Sequence, residues 1–433
     1  MYRYSSKLFI TLLCYTPIIG EFIPATNFGT GIPDLDPLRI LAYLLVITFA
    51  FEHAMAGKVT LLHRWLGILF IYALVVTASP IWSPVYSYDS VVMQGLFNSV
   101  ILPVLLAAIA LVLFRSADVV GKYCFHLAVA SIVLSVFALV QFAQGSSIIH
   151  DQARSMATFD NPNLLAVYLV LSLAVVLYAG DSGRISKKLG YLAQLCIVLA
   201  MFTTISRKGL GTMVIAFFLY YWITQRKRNL AILTVLVLVL GIFAAGISQF
   251  SSRFTATEIE HQFEGKAAMA RAGIEMFASS PVIGLGYKGY YENFGDYFPG
   301  SGRSKYDAHN EYVTALANYG LIGFIPFMMV FLFPLAWGWR WLRRLSRPAL
   351  REDRLRMLVG VISLVTFMMS QFYAGHLFYE NLVVFLLYAN VALMLTASQA
   401  DLPITSTDSG AAEREKSQGD ARILRYRSES NQR

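Results

Sequence analysis

Long apolar stretches separated by short polar breaks fill most of the chain. A hydrocarbon core about 30 Å thick takes roughly 20 apolar residues per helix, so the pattern predicts about twelve membrane-spanning helices. These lie near residues 7–23, 38–56, 62–79, 92–114, 123–144, 162–180, 188–204, 209–224, 229–248, 309–336, 355–373 and 380–398. Two spans are short, and Pro326 or Pro334 is expected to tilt or break the long ones. The sequence therefore predicts an all-α, polytopic membrane protein.

Composition leaves no segment that can build a soluble core of its own, because 57% of the 433 residues are hydrophobic and only 14% are charged. Cysteines at positions 14, 124 and 196 lie inside predicted spans, which favours apolar packing over disulfides. The chain divides into four parts: an N-terminal bundle of about nine helices (1–248), a long outer loop (249–308), about three C-terminal helices (309–398) and a polar tail (399–433) that is expected to be disordered.

Charged residues alternate from one break to the next. One set of breaks is rich in Lys and Arg, whereas the other carries acids such as Asp89 and Glu380 with almost no basic residues. Because Lys and Arg are retained on the cytoplasmic side of a membrane, both termini are predicted to be cytoplasmic. The net charge of +9 is mostly this orientation signal. Basic residues spread over short loops do not form a nucleic-acid-binding surface, and no nucleic-acid partner is predicted.

One basic pair lies on the side where Lys and Arg are scarce. Arg207 and Lys208 occupy a short break that the alternation places on the outer side, and Arg154 lies on that side as well. A charge that opposes the orientation rule has a cost, so it is expected to have a function. That function is predicted to be holding an anion at the outer surface, with lipid head groups as the alternative ligand. Loop 249–308 is long enough to be translocated across the membrane whatever its charge, so its basic residues do not oppose the rule.

The long outer loop has a predicted structure of its own. A helical pattern over 264–277 stops at Ser279-Ser280-Pro281, and a glycine-rich turn follows at 282–286. The next helix is predicted to begin with Asp307 as its N-cap and Glu311 in its first turn. His309 would then lie at the mouth of a membrane helix, at the outer aqueous edge.

Three segments resemble the O-antigen ligase and polymerase superfamily of bacterial envelope glycan enzymes. Residues 154–166 read R-S-M-A-T-F-D-N-P-N-L-L-A and are similar to R-x-x-G-T-F-x-N-P-N-x-L-A, with Ala157 replacing the usual glycine. Arg271 followed by S-P-V-I-G-L-G at 280–286 is similar to R…N-P-x-x-G-x-G, with Ser280 where asparagine is common. Residues 309–323 read H-N-E-Y-V-T-A-L-A-N-Y-G-L-I-G and are similar to H-N-x-x-L-x-x-x-x-x-x-G-x-x-G.

The resemblance implies a GT-C-like glycosyltransferase at the periplasmic face of the bacterial inner membrane, most like an O-antigen ligase. It would move a glycan from undecaprenyl diphosphate to the lipid A–core oligosaccharide, as a monomer among membrane lipids, without metal or cofactor. Arg207 and Arg271 are the expected diphosphate clamps, because guanidinium groups bind phosphate bidentately. His309 is the expected base for the acceptor hydroxyl, in an inverting reaction. The further expected substrate contacts are Arg154, Asn161, Asn163, Lys208 and Asn310.

Each of these residues also has a structural interpretation. In this interpretation Arg271 forms an ion pair with Glu275 one turn later, and His309 is an ordinary helix-end residue. Arg154 is either a second diphosphate ligand or a loop charge. The run from Asn161 to Asn163 is most simply a turn and N-cap that starts a membrane helix.

Two further polar groups stay open. Asp34 and Asp36 form a D-x-D in the first outer loop, where many polytopic glycosyltransferases carry an acidic site. Asp36 before a proline is more simply an N-cap, and no Asp, Glu or His pattern predicts a metal site. The last outer turn contains three polar residues that either contact the acceptor or satisfy one another's hydrogen bonds: His376, Tyr379 and Glu380.

Three functions fit this pattern. The first is an O-antigen ligase, and the second is a polymerase or a protein O-oligosaccharyltransferase, which would share donor and base but use another acceptor. The third is a transporter of an anionic lipid-linked substrate, which is expected to carry charges and broken helices within its spans. Polar groups that collect at one surface favour an enzyme. One long outer loop late in the chain favours the ligase, since many polymerases have two.

Overall fold

A computed structural model describes most of the predicted spans. The residues it describes are 2–19, 37–56, 63–83, 88, 90–145, 148–149, 152–159, 161–225, 256–298, 305–306, 308–344, 351–372 and 381–397. Predicted span 229–248 and the polar tail lie outside them. Asp307 also lies outside them. The same holds for the residues of the two polar groups left open above: Asp34, Asp36, His376, Tyr379 and Glu380.

The described residues are helical except for turns and one short hairpin. Two-residue strands β1 (Ile148–Ile149) and β2 (Gln152–Ala153) pair antiparallel. The helices are α1 (Arg3–Ile10), α2 (Thr16–Ile19), α3 (Pro37–Ala56), α4 (Arg64–Ala78), α5 (Ser90–Leu96), α6 (Leu102–Leu113), α7 (Ala117–Gln144), α8 (Pro162–Asp181), α9 (Lys187–Thr203), α10 (Arg207–Ile223), α11 (Ala256–Ser279), α12 (Gly289–Tyr297), α13 (Glu311–Arg344), α14 (Arg351–Gln371) and α15 (Asn381–Ala397). π-Helical turns at 11–15 and 97–101 join α1 to α2 and α5 to α6, and a 3₁₀ turn, Ser79–Trp82, follows α4.

The predicted all-α, polytopic membrane class is confirmed. Every predicted span that falls within the described residues coincides with a helix or a helical run. Six helical segments in this part of the chain are long and apolar enough to cross a membrane: 38–56, 64–82, 92–113, 117–144, 162–181 and 311–343. The predicted total of twelve spans stays a prediction.

Burial separates inner from outer helices. Of the most apolar segment of α8, 89% is buried, so this helix lies at the centre of the bundle, whereas the corresponding figure for α3 is 11%. The exposed apolar side chains of α3 recur at helical spacing, as expected for a face that meets lipid: Leu44, Ile47, Phe51 and Met55.

A buried asparagine joins four helices in the middle of the bundle. The Asn390 Oδ1 atom of α15 accepts from the Tyr123 hydroxyl of α7 at 2.9 Å. Its Nδ2 atom donates to the Leu171 carbonyl of α8 at 3.1 Å and to the Ser363 hydroxyl of α14 at 2.9 Å. A buried amide satisfied on both sides fixes how these helices pack.

The long helix α13 is broken at a glycine. Gly320 has φ 55° and ψ −159°, so residues 311–319 form a short helix and the membrane helix continues from 321. The expectation of a break at Pro326 or Pro334 is wrong, because Gly320 is the residue with non-helical angles. The freed donors are satisfied by the segment before α12: the Leu321 and Ile322 amides bond to the Pro281 and Val282 carbonyls at 2.9 and 3.1 Å.

Candidate functional site

Two breaks of the chain meet at one end of the bundle, which we call the site end. The Arg154 Nε donates to the Thr204 carbonyl at 3.1 Å, and the Ser155 amide donates to the Thr203 carbonyl at 3.0 Å. The Ser206 hydroxyl donates to Asn163 Oδ1 at 2.9 Å. These bonds hold the Arg154 segment and the start of α8 against the turn that precedes Arg207.

Helix caps explain the two asparagines of the first motif. Asn161 Oδ1 accepts from the Asn163 amide at 2.8 Å and caps α8, which confirms its N-cap interpretation. Ser206 caps α10 by accepting from the Gly209 amide at 3.1 Å. Asn163 therefore positions the capping residue of the helix that begins with Arg207. Direct substrate contacts of Asn161 and Asn163 stay predictions.

The turn after Arg154 keeps a glycine-like conformation with an alanine in it. Ala157 has φ 48°, in the left-handed region that normally favours glycine, and its side chain is buried. Gln141 of α7 holds this turn, because its Nε2 donates to the Ala157 carbonyl at 2.7 Å and its Oε1 accepts from the Met156 amide at 3.3 Å. Alanine is strained in this conformation, and the two Gln141 bonds hold the turn.

Positive charges are gathered around Lys208, which lies in the first turn of α10, ahead of the apolar stretch 209–224. Burial, followed by the nearby positive charges of Lys266, Arg154 and Arg207, lowers the pKa of Lys208 to about 7. Four cations therefore share one region of the site end. An anion bound there would offset their mutual repulsion.

Lys266 reaches this group from the long loop, and no pattern in the sequence marks it as a site residue. It lies seven residues before Gly273, on the same face of α11. That face packs on the start of α13, since a Cβ at Gly273 would come within 2.2 Å of Val313. Arg271 lies on the opposite face, about 200° around the helix from Gly273, and is exposed. Arg271 and Glu275, both described, form no ion pair, and the proposed role of Arg271 stays a prediction.

The second and third motifs bind each other through their backbones. The Leu285 and Gly286 amides donate to the Ala317 and Asn318 carbonyls, each at 2.8 Å. Gly284 has φ 70°, and a Cβ there would lie 2.4 Å from the Asn318 carbonyl carbon. A Cβ at Gly320 would lie 2.5 Å from Val282. Glycine is required on both sides because the two backbones touch, and this contact positions the helix that follows His309.

His309 and Asn310 lie at the start of α13. Asn310 Oδ1 accepts from the Tyr312 and Val313 amides at 3.0 and 3.2 Å, so Asn310 is the N-cap and the helix begins at Glu311. The predicted start at Asp307 is wrong, because His309 has φ 49° and lies outside the helix. The Nε2 of His309 lies 3.3 Å from the Tyr306 hydroxyl, and the two rings meet edge to face.

A small cavity lies beneath the His309 segment. It measures about 20 Å³, above the roughly 10–15 Å³ that one water molecule needs. Glu311 lines it and is only 5% exposed. The polar residues that line the cavity with Glu311 come from three helical segments and one loop: Tyr72, Ser99, Tyr287, Thr314 and Tyr319. The sequence signal for this site was Glu311 itself, an acid in an otherwise apolar segment.

The described site residues thus fall into three places at the site end. Arg154, Asn161, Asn163, Arg207 and Lys208 are joined around the start of α8 and α10. His309 and Asn310 precede α13. Arg271 lies on α11, the helix that packs against the start of α13. Among the described residues no group of three or more His, Cys, Asp or Glu is placed to hold a metal ion.

These features define a multi-pass, all-α membrane protein with gathered cations and a histidine at one end of its bundle. Residues 192–328 match the family model described as O-antigen ligase. This match supports the O-antigen ligase and polymerase superfamily, which the second and third motifs resemble within the matched range. The match includes Arg207, Arg271 and His309, whereas the motif of Arg154 lies before it and is joined to it by the Asn163–Ser206 bond. No curated protein matched the chain in a sequence search.

Proposed function

We propose that this protein is an inverting, metal-independent O-antigen ligase of the bacterial inner membrane, with its site end at the periplasmic face. Its donor is a preassembled glycan on undecaprenyl diphosphate, and its acceptor is the lipid A–core oligosaccharide. The family match supports a ligase- or polymerase-type function, and the donor, the acceptor and the orientation are part of the proposal.

The observation that carries the proposal is the gathering of four cations at the site end: Arg154, Arg207, Lys208 and Lys266. A diphosphate is the one part of the donor with concentrated negative charge, and it lies at the membrane surface. As the glycosidic bond breaks, more charge develops on the leaving phosphate oxygen. Cations fixed in a partly buried site stabilise that charge better than mobile water does. Arg271, on the exposed face of α11, is proposed as a further clamp for the same group.

The transfer step uses His309 as the base. The acceptor hydroxyl oxygen attacks the anomeric carbon from the face opposite the diphosphate, and a new carbon–oxygen bond forms. The bond to the diphosphate breaks, its electron pair leaves with the phosphate oxygen, and the hydroxyl proton passes to the imidazole of His309. The edge-to-face contact with Tyr306 supports a fixed orientation of that imidazole.

The same site serves a polymerase or a protein O-oligosaccharyltransferase if the acceptor differs. The transporter alternative is less favoured, since the gathered cations lie before or at the start of a membrane helix or on the loop helix α11, at one end of the bundle. A transporter that holds its anionic substrate midway through the membrane would need positive charges within its membrane helices.

A reconstituted assay tests the proposal. Purified protein is given undecaprenyl-diphosphate glycan and lipid A–core in the presence of EDTA, and the products are resolved by gel. The expected result is glycan on lipid A–core. Glycan that lengthens on its polyprenyl carrier would instead indicate a polymerase. Absence of transfer by folded protein would contradict the enzyme assignment, and loss of transfer only in EDTA would contradict metal independence.

A further inference from the structure

Gln371, the last residue of α14, has a buried side-chain amide without a partner. The side chain is 0% exposed, and neither its nitrogen nor its oxygen has a hydrogen-bond partner in the described part of the chain. Asn390 provides the contrast, since both sides of its amide are satisfied in the middle of the same bundle. An unsatisfied buried amide destabilises a fold and calls for an explanation.

The helix register places Gln371 at the depth of the site end. At the opposite end of the bundle, Arg356 of α14 bonds to the Tyr178 hydroxyl of α8 at 3.3 Å. Arg354 bonds there to the Ile223 carbonyl of α10 at 3.1 Å. From these contacts α14 runs antiparallel to α8 and α10. At about 1.5 Å per residue, Gln371 lies within about one helical turn of the depth of Asn163 and Ser206.

The end of α14 also contacts the segment that follows His309. The Tyr312 hydroxyl donates to the Met368 carbonyl at 2.8 Å, and the rings of Tyr312 and Phe372 lie 4.6 Å apart. Tyr312 stands three residues after His309, in the first turn of α13. Gln371 is therefore next to the helix that follows the proposed base and is level with the turn that precedes Arg207.

We propose that Gln371 binds a sugar at the transfer site. This inference rests on the proposed function, because it assigns the amide to a glycan substrate. A carboxamide needs an acceptor for its NH₂ group and a donor for its oxygen. A diphosphate offers acceptors alone, whereas a sugar hydroxyl or acetamido group offers both. Because Gln371 is fully buried, sugar binding requires the neighbouring contact between Tyr312 and Phe372 to open.

Gln371→Leu separates a binding role from a structural one. Leucine removes an amide that has no partner, so the thermal unfolding temperature is expected to stay equal or to rise. The KM for one substrate is expected to rise about tenfold in the reconstituted assay, as for loss of one or two hydrogen bonds to a ligand. Varying donor and acceptor concentrations separately shows which sugar is bound. Asn390→Leu is the matched control: it is expected to lower the unfolding temperature clearly, because it leaves Tyr123 and Ser363 unpaired.

The outcomes are distinguishable. A raised KM for donor or acceptor, with unchanged stability, supports the inference and identifies the sugar. Unchanged KM values for both substrates, in a wild-type protein that transfers glycan, would overturn it. A clear loss of stability in Gln371→Leu would also overturn it, since the amide would then be serving the fold. Absence of transfer by the wild-type protein would contradict the proposed function itself.

Discussion

The two ends of the helix bundle use positive charge in different ways. At the end opposite the site, Arg184 and Arg356 both donate to Glu352 Oε1, at 2.6 and 2.8 Å, and the Tyr178 hydroxyl donates to the same oxygen at 3.2 Å. At the site end, the charges that shift the pKa of Lys208 are those of Lys266, Arg154 and Arg207, which are all positive. The cations at the end opposite the site serve the fold, and those gathered at the site end are the ones that we propose bind an anion.

The titration of the two ends reflects this difference. Burial raises the pKa of Glu352, but the hydrogen bonds and charges of Arg184 and Arg356 outweigh it, so the pKa is lowered. The interaction of Glu352 with the two arginines therefore stabilises the fold fully above the ordinary pKa of a glutamate. This stabilisation is lost as the pH falls through the lowered pKa of Glu352. For Lys208, burial and its neighbours both lower the pKa, so charging this residue costs the folded protein free energy. A bound diphosphate would offset that cost.

The largest effect is expected for Arg207→Ala. Loss of a guanidinium that stabilises the leaving diphosphate is expected to lower the transfer rate about 100-fold or more, with little change in the free energy of unfolding. Arg356→Ala is the control from the opposite end. It is expected to lower the free energy of unfolding by about 1 kcal/mol, since Glu352 is partly exposed, and to leave transfer per folded molecule unchanged. Equal loss of transfer in both variants would remove the distinction between the two ends.

The next effect concerns the contact between the second and third motifs. Gly284→Ala places a Cβ against the Asn318 backbone in a left-handed conformation, and is expected to lower the free energy of unfolding by about 3 kcal/mol. Gly211→Ala is the control, because its Cβ would meet nothing within 4 Å in α10. It is expected to stabilise the helix by up to about 1 kcal/mol. Denaturation of both variants in detergent checks the difference, and similar stability for the two would contradict the close contact.

A smaller effect is expected from Lys208. Its charged form predominates below its pKa of about 7, so the KM for the diphosphate donor is expected to rise as the pH rises through that value. Lys208→Met is expected to have a KM several-fold higher and nearly independent of pH. Lys208→Arg, which stays charged, is expected to keep a low KM across the range. A donor KM that rises in the same way in Lys208→Met would assign the titration to another group.

The smallest effect is expected for Ala157→Gly. Glycine adopts the left-handed conformation of this turn without strain, so the free energy of unfolding is expected to rise by less than about 1 kcal/mol. Transfer should be unchanged, because the Gln141 bonds involve backbone atoms of the turn. Ala138→Gly, in the middle of α7, is expected to lower stability by about 1 kcal/mol. Thermal unfolding of the pair measures both changes, and destabilisation by Ala157→Gly would show that the buried methyl outweighs the strain.

Much of the fold was predictable because long apolar runs determine membrane helices directly. The cap at Asn161 was predictable as well, since asparagine before proline has few other uses at a helix start. The break at Gly320 was not, because it depends on a backbone contact with Gly284, far away in the sequence. Asn310 and Asp307 are both good caps three residues apart, and tertiary contacts decide between them. Lys266 was missed because charges in a long loop carry no orientation signal, and its place depends on how α11 packs.

Binding of the carrier lipid tests the central claim most directly. Undecaprenyl diphosphate without a glycan is titrated into purified wild-type protein, Arg207→Gln and Arg356→Gln, and the three Kd values are compared. The site end is predicted to hold the diphosphate, so Arg207→Gln should weaken binding about tenfold or more, as for loss of a charge-assisted bond to a ligand. Arg356→Gln should bind as the wild type does. Equal Kd values in all three proteins would contradict a diphosphate site among the gathered cations.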